Sequence, residues 1–387
     1  LAINFSPQTS VSIDGDKFLV NGTPVLKGKS FRGNSIEGLL MNSRMANGLF
    51  DDENPFTRHL WAYPDTCEWN PDRNTDELIE MLPTYKSKGL DCIDINLQGA
   101  SPLGYYKSDE EGLADLRQRI HAVHPDATDE QIWEGVPNVE SQPWISGGVN
   151  SDGSLKPAFM ERAARIIEAA DSIGMVVCLG YFYFGQDERL VDEVAVNKAV
   201  DNATNWVLDQ GYTNVLIEIN NECDVPRYEH PILCPDRIHE LIERAKAITK
   251  NGKRLLISTS FTRRMVPTDA AIAASDYILV HGNGMHDPAE IIKRVQDTRK
   301  SPSYAGQPIF FNEDDHFDFE NESNNFISAI EQFAGWGFFD PGTGAGGYAA
   351  YGDYVVGYQN PPINWTINTM RKESFFWFLE KVTSGKE

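Results

Sequence analysis

The sequence predicts an α/β fold, an eight-stranded (β/α)8 barrel of the TIM type, built as a single domain over residues 1–387. Three observations predict it. Eight short apolar runs alternate with segments of helical period, the pattern of a parallel sheet wrapped by helices. Two turn dipeptides, Asp14-Gly15 and Asn21-Gly22, set a β-hairpin ahead of the first run, because both tolerate positive φ. Two of the eight runs end in glutamate where strand gives way to loop, the edge of a barrel that carries chemistry.

In chain order, Val11–Pro24 reads VSIDGDKFLVNGTP. Residues 1–24 thus form an N-terminal hairpin that caps the bottom of the barrel. The strand candidates follow at Val25–Arg32, Asp91–Gln98, Met175–Phe184, Val215–Glu222, Arg254–Ser260, Tyr277–His281, Pro308–Glu313 and Gly335–Phe339. Helical patterns fall between and after them at Asp76–Lys88, Ala158–Ile173, Leu190–Leu208, Asp236–Lys250, Asp269–Ala274, Pro288–Thr298, Glu322–Phe333 and Asn368–Val382. Met160, Ala163, Ala164, Ile167 and Ala170 show the three-four spacing of a helix with one buried face. Long insertions at about 33–74, 99–156 and 340–366 all follow strands, so they crowd one face of the barrel. Structureless loops of this length are uncommon unless functional. The first carries Arg44, Arg58, His59, Trp61, Tyr63 and Trp69, and the second Tyr105, Tyr106, Trp133 and Trp144. The expectation is a walled pocket lined by these aromatics.

Composition narrows the function classes. With 41% apolar residues the chain can bury a large core without disulfides. A net charge of −23 repels nucleic acid and anionic membranes, so a nucleic-acid partner is not expected. No apolar run is long enough for a membrane span, and Leu1–Pro7 lacks a signal-peptide pattern. The five cysteines contain no CxxC pair, which argues against structural zinc; Cys223 and Cys234 bracket one loop and could pair in an oxidising compartment.

The central stretch is Asn214–Glu222, NVLIEINNE. Period-two alternation places Glu218, Asn220 and Glu222 on one face. Glu222 ends the fourth strand, and Glu313 ends the seventh, in PIFFNEDDH. Strands four and seven lie nearly opposite one another across an eight-membered ring. Two carboxylates facing across a pocket suit glycosidic bond cleavage: one donates a proton to the leaving oxygen, the other attacks or activates water. Glu218 faces inward as an ion-pair partner, with Arg32 the candidate cation.

Glu218-Ile219-Asn220-Asn221-Glu222 resembles the E-x-x-N-E strand of clan A retaining glycoside hydrolases, especially the cellulase-like family 5. Pro308, five residues before Glu313, is similar to the start of their seventh strand, and Phe18–Arg32 resembles the N-G-x-P hairpin that precedes many of these barrels. The chain differs in having Cys223 where family 5 has proline, and it lacks the tyrosine common near the sixth strand. The resemblance implies Glu222 as acid/base, Glu313 as nucleophile and Asn221 as donor to the sugar 2-hydroxyl. It implies no cofactor, a poly- or oligosaccharide substrate and a covalent glycosyl-enzyme. Two close carboxylates raise one pKa, which is expected to keep Glu222 protonated. His281, at the end of the sixth strand, and Trp336, in the eighth, fall where the clan has a histidine and a tryptophan, so Trp336 is expected to form a sugar platform. Arg32, Gln98, Tyr183 and His316 are further candidates for substrate contact. The long loops favour release of small products from chain ends, and such a function implies a secreted or periplasmic protein.

Two rival readings share the barrel. Asp314, Asp315, His316, His281 and His286 are ligand types that could gather a metal ion at the mouth. A carbohydrate-binding barrel without catalysis is the other.

Overall fold

The computed structural model describes residues 5–103, 108–342, 354 and 356–385; Tyr105, Tyr106 and part of the excursion at 340–366 lie outside the described residues. A parallel sheet closes on itself as the barrel. Its strands are β1 (Asn42–Arg44), β2 (Cys92–Asn96), β3 (Val176–Phe182), β4 (Val215–Asn220), β5 (Leu256–Ser258 and Ser260–Phe261), β6 (Ile278–His281), β7 (Ile309–Asp314) and β8 (Gly335–Phe338). The ring shuts where Gly337 pairs with Asn42 and Phe338 with Ser43. Strand β5 is interrupted at Thr259, whose hydroxyl donates to Asn220 Oδ1 at 2.7 Å. Its first half pairs with β4 and its second with β6, so nine segments make eight strands.

The return helices are α1 (Pro71–Ser87), α4 (Pro157–Ser172), α5 (Glu193–Gln210), α6 (Ile238–Ala247), α7 (Asp269–Ala274), α8 (Pro288–Arg299), α9 (Asn325–Glu331) and α10 (Met370–Ser384). Two more, α2 (Glu110–Val123) and α3 (Asp129–Ile132), lie within the excursion after β2. Asn70, Asp192, Thr268, Asp287, Asn324 and Thr369 cap helix N-termini through their side chains, satisfying amides that have no partner inside the helix.

Side chains alternate between two buried layers. Ile93, Ile95, Val177, Leu179, Ile217, Ile219, Val280, Phe311 and Trp336 face the helices. Cys92, Val176, Cys178, Leu216, Leu279 and Phe310 fill the lower interior. Phe18 of the hairpin plugs that layer, edge-on to Tyr277 and Phe310 at 5.8 and 5.6 Å. Above it the interior becomes polar, with Arg44, Asp94, Asn96, Glu218 and Asn312 all buried. A separate apolar cluster forms between the excursions after β1 and β2 from Phe50, Trp61, Tyr63, Trp69, Leu116, Trp133 and Trp144, among others.

The first strand corrects the sequence reading. The barrel begins at Asn42–Arg44, not at Val25–Arg32, because a three-residue polar strand carries no alternation to recognise. Thr23–Pro24 instead extends the hairpin to three strands, and Ser30–Phe31 turns back on Asn34–Ser35. The cysteines at 67, 92, 178, 223 and 234 are all free, so Cys223 and Cys234 do not pair. No helix among the described residues is long and apolar enough to cross a membrane.

Closure between β7, β8 and β1 depends on small residues facing inward. A Cβ at Gly337 would lie 2.5 Å from Asn42 Nδ2 and 2.8 Å from the Phe311 carbonyl oxygen. Gly337→Ala is therefore expected to destabilise the fold by about 1–3 kcal/mol, as overpacking does. Urea unfolding should show a lower midpoint with unchanged slope; an unaltered midpoint would mean the seam can yield.

Candidate active site

Strand β4 delivers its glutamates in two ways. Glu218 points inward by simple alternation, beside Arg44. Beyond Ile219 the alternation ends. Asn220 turns aside, donating to the Leu233 carbonyl at 2.9 Å. Asn221 faces Arg44 instead, its Oδ1 accepting from Nη2 at 2.6 Å. Glu222 takes a left-handed backbone (φ 51°), uncommon for a residue with a Cβ. Its N–H donates to Ser260 Oγ at 2.8 Å, which fixes the turn. The face Glu218, Asn220, Glu222 predicted from period two is thus replaced by Glu218, Asn221 and Glu222.

Strand β7 uses a bulge for the same purpose. His281 pairs with Glu313 although Val280 pairs with Phe311, and Phe311 and Asp314 pair with Trp336 and Phe338, leaving one extra residue at Asn312–Glu313. Both bulged side chains consequently face the interior, where strict alternation would have turned Glu313 toward the helices. Asn312 Nδ2 reaches Asp94 Oδ2 at 3.3 Å and Glu218 Oε1 at 3.4 Å.

At the centre lies Arg44, at the end of β1 and 1% exposed. Its Nη1 is 2.8 Å from Glu218 Oε2 and 3.5 Å from Asp94 Oδ2, and its Nε is 3.0 Å from Glu313 Oε2. His281 Nδ1 stands 2.9 Å from Glu222 Oε1 and 3.6 Å from Glu313 Oε2. Asn283 Nδ2 donates to Glu313 Oε1 at 2.6 Å. Glu222, His281 and Glu313 each offer one nitrogen or oxygen within 4.8 Å of the others. The side chains of Glu222 and Glu313 keep 15% and 9% exposure while Arg44, Glu218 and His281 keep 1%, so of these five the two glutamates are the ones open to a ligand.

Burial and charge set the protonation of this cluster. Burial alone would lower the His281 pKa, but the carboxylates of Glu313 and Glu222 outweigh it and lift it to about 9. Burial lifts Asp94 to about 7, with Arg44 pulling down and Glu218 pushing up. For Glu218 the Arg44 and His281 charges overcome burial, and its pKa is lowered. Glu313 is held above its ordinary value by burial, against the pull of His281, Arg44 and Asn283 and with Glu222 adding to the rise. Asp94 and Glu313 are thus the raised carboxyls of this cluster.

Other predicted residues fall elsewhere. Arg32 is an exposed residue of the small hairpin, with φ 49° and its Nη1 bonded to the Glu322 carbonyl; Arg44 takes the role expected of it. Trp336 is not a sugar platform. It faces outward from β8, stacks on Phe326 of α9 and donates Nε1 to Asp314 Oδ2 at 3.0 Å. Gln98 spends its amide on backbone, accepting from Tyr183 N–H and donating to the Gln186 carbonyl. Tyr183 is buried against Phe184, ring centroids 4.4 Å apart, and burial, with the charges of Glu313 and Glu222 adding to it, raises its phenol pKa. His316 is bonded to Asp314 rather than to the glutamates.

The loop tryptophans pack on one another instead of lining the mouth. Trp61 meets Phe50 and Trp144 edge-on, and Tyr63 stacks on Trp69. Asp52 ties the two excursions together, accepting from Trp61 Nε1, Thr57 Oγ1 and the Ile145 N–H.

The residues weighed as metal ligands divide into two groups. Glu222, His281 and Glu313 form one, where a protonated His281 already pairs with both glutamates and Arg44 pairs with Glu313. Asp314, Asp315 and His316 form the other, with His286 against His316. Asp314 is there fully engaged, accepting from Trp336, Asn325 and His316. The inventory missed Arg44, Asp94, Asn283 and Asn312. Arg44 was visible only as a lone cation closing the run LLMNSR.

No family model and no curated protein matches the chain. Solved structures share its architecture. It superposes on a broad-specificity endoglucanase of glycoside hydrolase family 5, subfamily 4, from Bacteroides salanitronis with a TM-score of 0.50 at 10% identity, covering 98% of this chain and 97% of that one. The corresponding endoglucanase from Clostridium acetobutylicum gives a TM-score of 0.50 at 10% identity over 88% and 97%. A chain from Bacteroides vulgatus ATCC 8482 gives 0.46 at 13% identity over 86% of this chain, which spans 54% of that chain's length. The likenesses that reach 0.50 show the fold, a (β/α)8 barrel.

A pKa of about 9 for His281, against about 6.5 when unfolded, means that folding tightens proton binding. The stabilisation is complete below about pH 6.5 and is lost as pH rises through about 9. Buried Lys372, lowered by burial to about 7, acts with the opposite sign, so the informative quantity is a difference. The gap in unfolding free energy between the native chain and His281→Gln should shrink steadily from pH 6.5 to 9. A gap independent of pH would place the titration on other groups.

Proposed function

We propose that this protein is a retaining β-glycoside hydrolase acting on a neutral poly- or oligosaccharide. The observation that carries the reading is the approach of Glu222 and Glu313, oxygen to oxygen within 4.8 Å, at the ends of opposite strands. Retaining enzymes hold their two carboxyls about 5–5.5 Å apart, whereas inverting ones need about 6.5–9.5 Å to admit a water.

Glu313 is the nucleophile in this reading. Asn283 Nδ2 donates to its Oε1 and Arg44 Nε lies 3.0 Å from its Oε2 as an ion-pair partner, and together they hold the carboxylate for attack on the anomeric carbon. Glu222 is the acid/base. It is the more exposed of the pair, and His281 Nδ1 stabilises the carboxylate left after it protonates the leaving oxygen. It then takes a proton from the water that opens the glycosyl-enzyme. Asn221 spends its Oδ1 on Arg44, while its buried Nδ2 has no protein partner, which suits donation to a sugar 2-hydroxyl. The length of the excursions that follow β1 and β2 at the catalytic end of the barrel favours cleavage near chain ends over random internal cutting. A polymeric substrate, which does not cross membranes, supports a secreted or periplasmic location.

Removing each carboxylate separates the roles. Glu222→Ala should still form the intermediate with an activated aryl β-glycoside, turn it over slowly and be rescued by azide to give a β-glycosyl azide. Glu313→Ala should form no intermediate and give, if anything, the α-azide. Loss of activity on chelation, or native turnover by Glu222→Ala on a natural substrate, would move the metal reading ahead. Binding of glycans with no hydrolysis by the native protein would favour the non-catalytic barrel. A fast drop in viscosity with little early reducing sugar would overturn the chain-end preference.

A further inference from the structure

Two segments at the catalytic end of the barrel carry histidines that meet each other instead of the glutamates. His286 lies between β6 and α8, and His316 follows β7. His316 Nε2 is 3.4 Å from His286 Nδ1, with the two rings inclined at 70°. Two nitrogens held about 2.0–2.1 Å from one tetrahedral zinc ion stand about 3.3–3.4 Å apart, so the observed spacing suits a shared ion.

The His316 ring is held for that role from its other side. Its Nδ1 faces Asp314 Oδ1, a carboxylate oxygen that only accepts, so Nδ1 carries the proton and Nε2 presents its lone pair toward His286. Asp314 is fixed in turn. It is fully buried, and Asn325 Nδ2 and Trp336 Nε1 donate to its Oδ2 at 2.9 and 3.0 Å. A carboxylate that orients the far nitrogen of an imidazole is the common support of a metal-bound histidine. A further oxygen ligand is at hand. Asp315 Oδ1 lies 3.4 Å from His316 Nδ1, and Asp314, Asp315 and His316 each offer a ligand atom within 4.8 Å of the others. His286 is exposed and the His316 side chain keeps 17% exposure, so an ion reaches both from solvent. The net charge of −23 attracts cations to this surface.

We propose that His286 and His316 form a binding site for a divalent transition metal of the zinc class, with Asp314 orienting His316, Asp315 the nearest further ligand and water completing the coordination. Imidazole nitrogens select zinc, copper or nickel over calcium and magnesium, which take oxygen ligands. The ion clips the turn after β6, which carries Asn283, to the segment after β7, which continues directly from Glu313. The clip is separate from Glu222 and Glu313 and does not depend on the glycosidase reading.

Calorimetric titration of the untagged, chelator-stripped protein with zinc chloride tests it. The native protein should bind zinc saturably, and His286→Ala, a change at an exposed residue that folding tolerates, should weaken the tightest site by at least about tenfold. His316→Ala should do the same. Copper(II) bound to the native protein should show spin coupling to two imidazole nitrogens, and to one in either variant. Excess zinc should raise the melting temperature of the native protein and lose that effect in His286→Ala. His124→Ala, which alters the other close histidine pair, His59 with His124, should bind zinc as the native protein does. Rings joined only by a hydrogen bond would take up no zinc, and that result overturns the proposal. So does an affinity unchanged by His286→Ala, a loss that follows His124→Ala instead, or calcium that displaces zinc. Hydrolysis assays keep this apart from the glycosidase reading. A protein that binds zinc through both histidines and cleaves no glycoside sustains the site and sinks the hydrolase; one that cleaves glycosides and binds no zinc does the reverse.

Discussion

Asp94, Glu218 and Glu313 close on one buried guanidinium, which offsets part of the cost of burying them, with His281 adding its charge for Glu218 and Glu313. The cost of removing a charge from water is repaid only where partners and hydrogen bonds are complete. Arg44 supplies both, spending Nε on Glu313, Nη1 on Glu218 and Asp94, and Nη2 on Asn221. Removing one member of such a buried network costs about 3–5 kcal/mol, because the remaining charges lose their partner. The arginine thereby couples folding to chemistry: the group that lets the upper barrel interior be polar also orients the proposed nucleophile.

That arrangement shapes the backbone around it. Strand β1 is short and polar since its last residue must present a long cation to three strands at once. Opposite, β8 places Gly335 and Gly337 inward, leaving room for Phe310 and Asn42. The left-handed turn at Glu222 and the bulge at Glu313 are a further pair of adjustments. The bulge carries Glu313 from the helix-facing side into the interior, and the left-handed turn lets Asn221 and Glu222 both reach the site. Strain and irregularity thus collect at the two residues that carry the proposed reaction.

Much of the barrel was legible because its strands are long and apolar and its helices are periodic. The ends of β4 and β7 announced Glu222 and Glu313 through local sequence alone. Their approach to one another was expected from the places of strands four and seven in the ring, but the means was not legible, since a bulge and a positive φ break the period on which the reading relied. Arg32 was favoured over Arg44 because it closed an apolar run, whereas Asn42–Arg44 has no pattern to find. Trp336 was misplaced for a related reason. A single tryptophan on a strand looks the same whether its neighbours turn it toward the mouth or the helices, and here the inward glycines decide. The loop tryptophans invited a sugar-stacking role, but aromatic rings with no barrel core to join find each other first.

The apolar cluster between the excursions after β1 and β2 is distinct from the barrel core, and polar contacts such as Lys156 with Glu53 tie its segment to the barrel. Two cores joined in this way act as two cooperative units with different melting thresholds. On warming, the smaller one yields first, so the mouth loses its shape while the barrel and its ion network persist. Thermal inactivation and global unfolding then become separate events, the first reversible as long as the second has not begun.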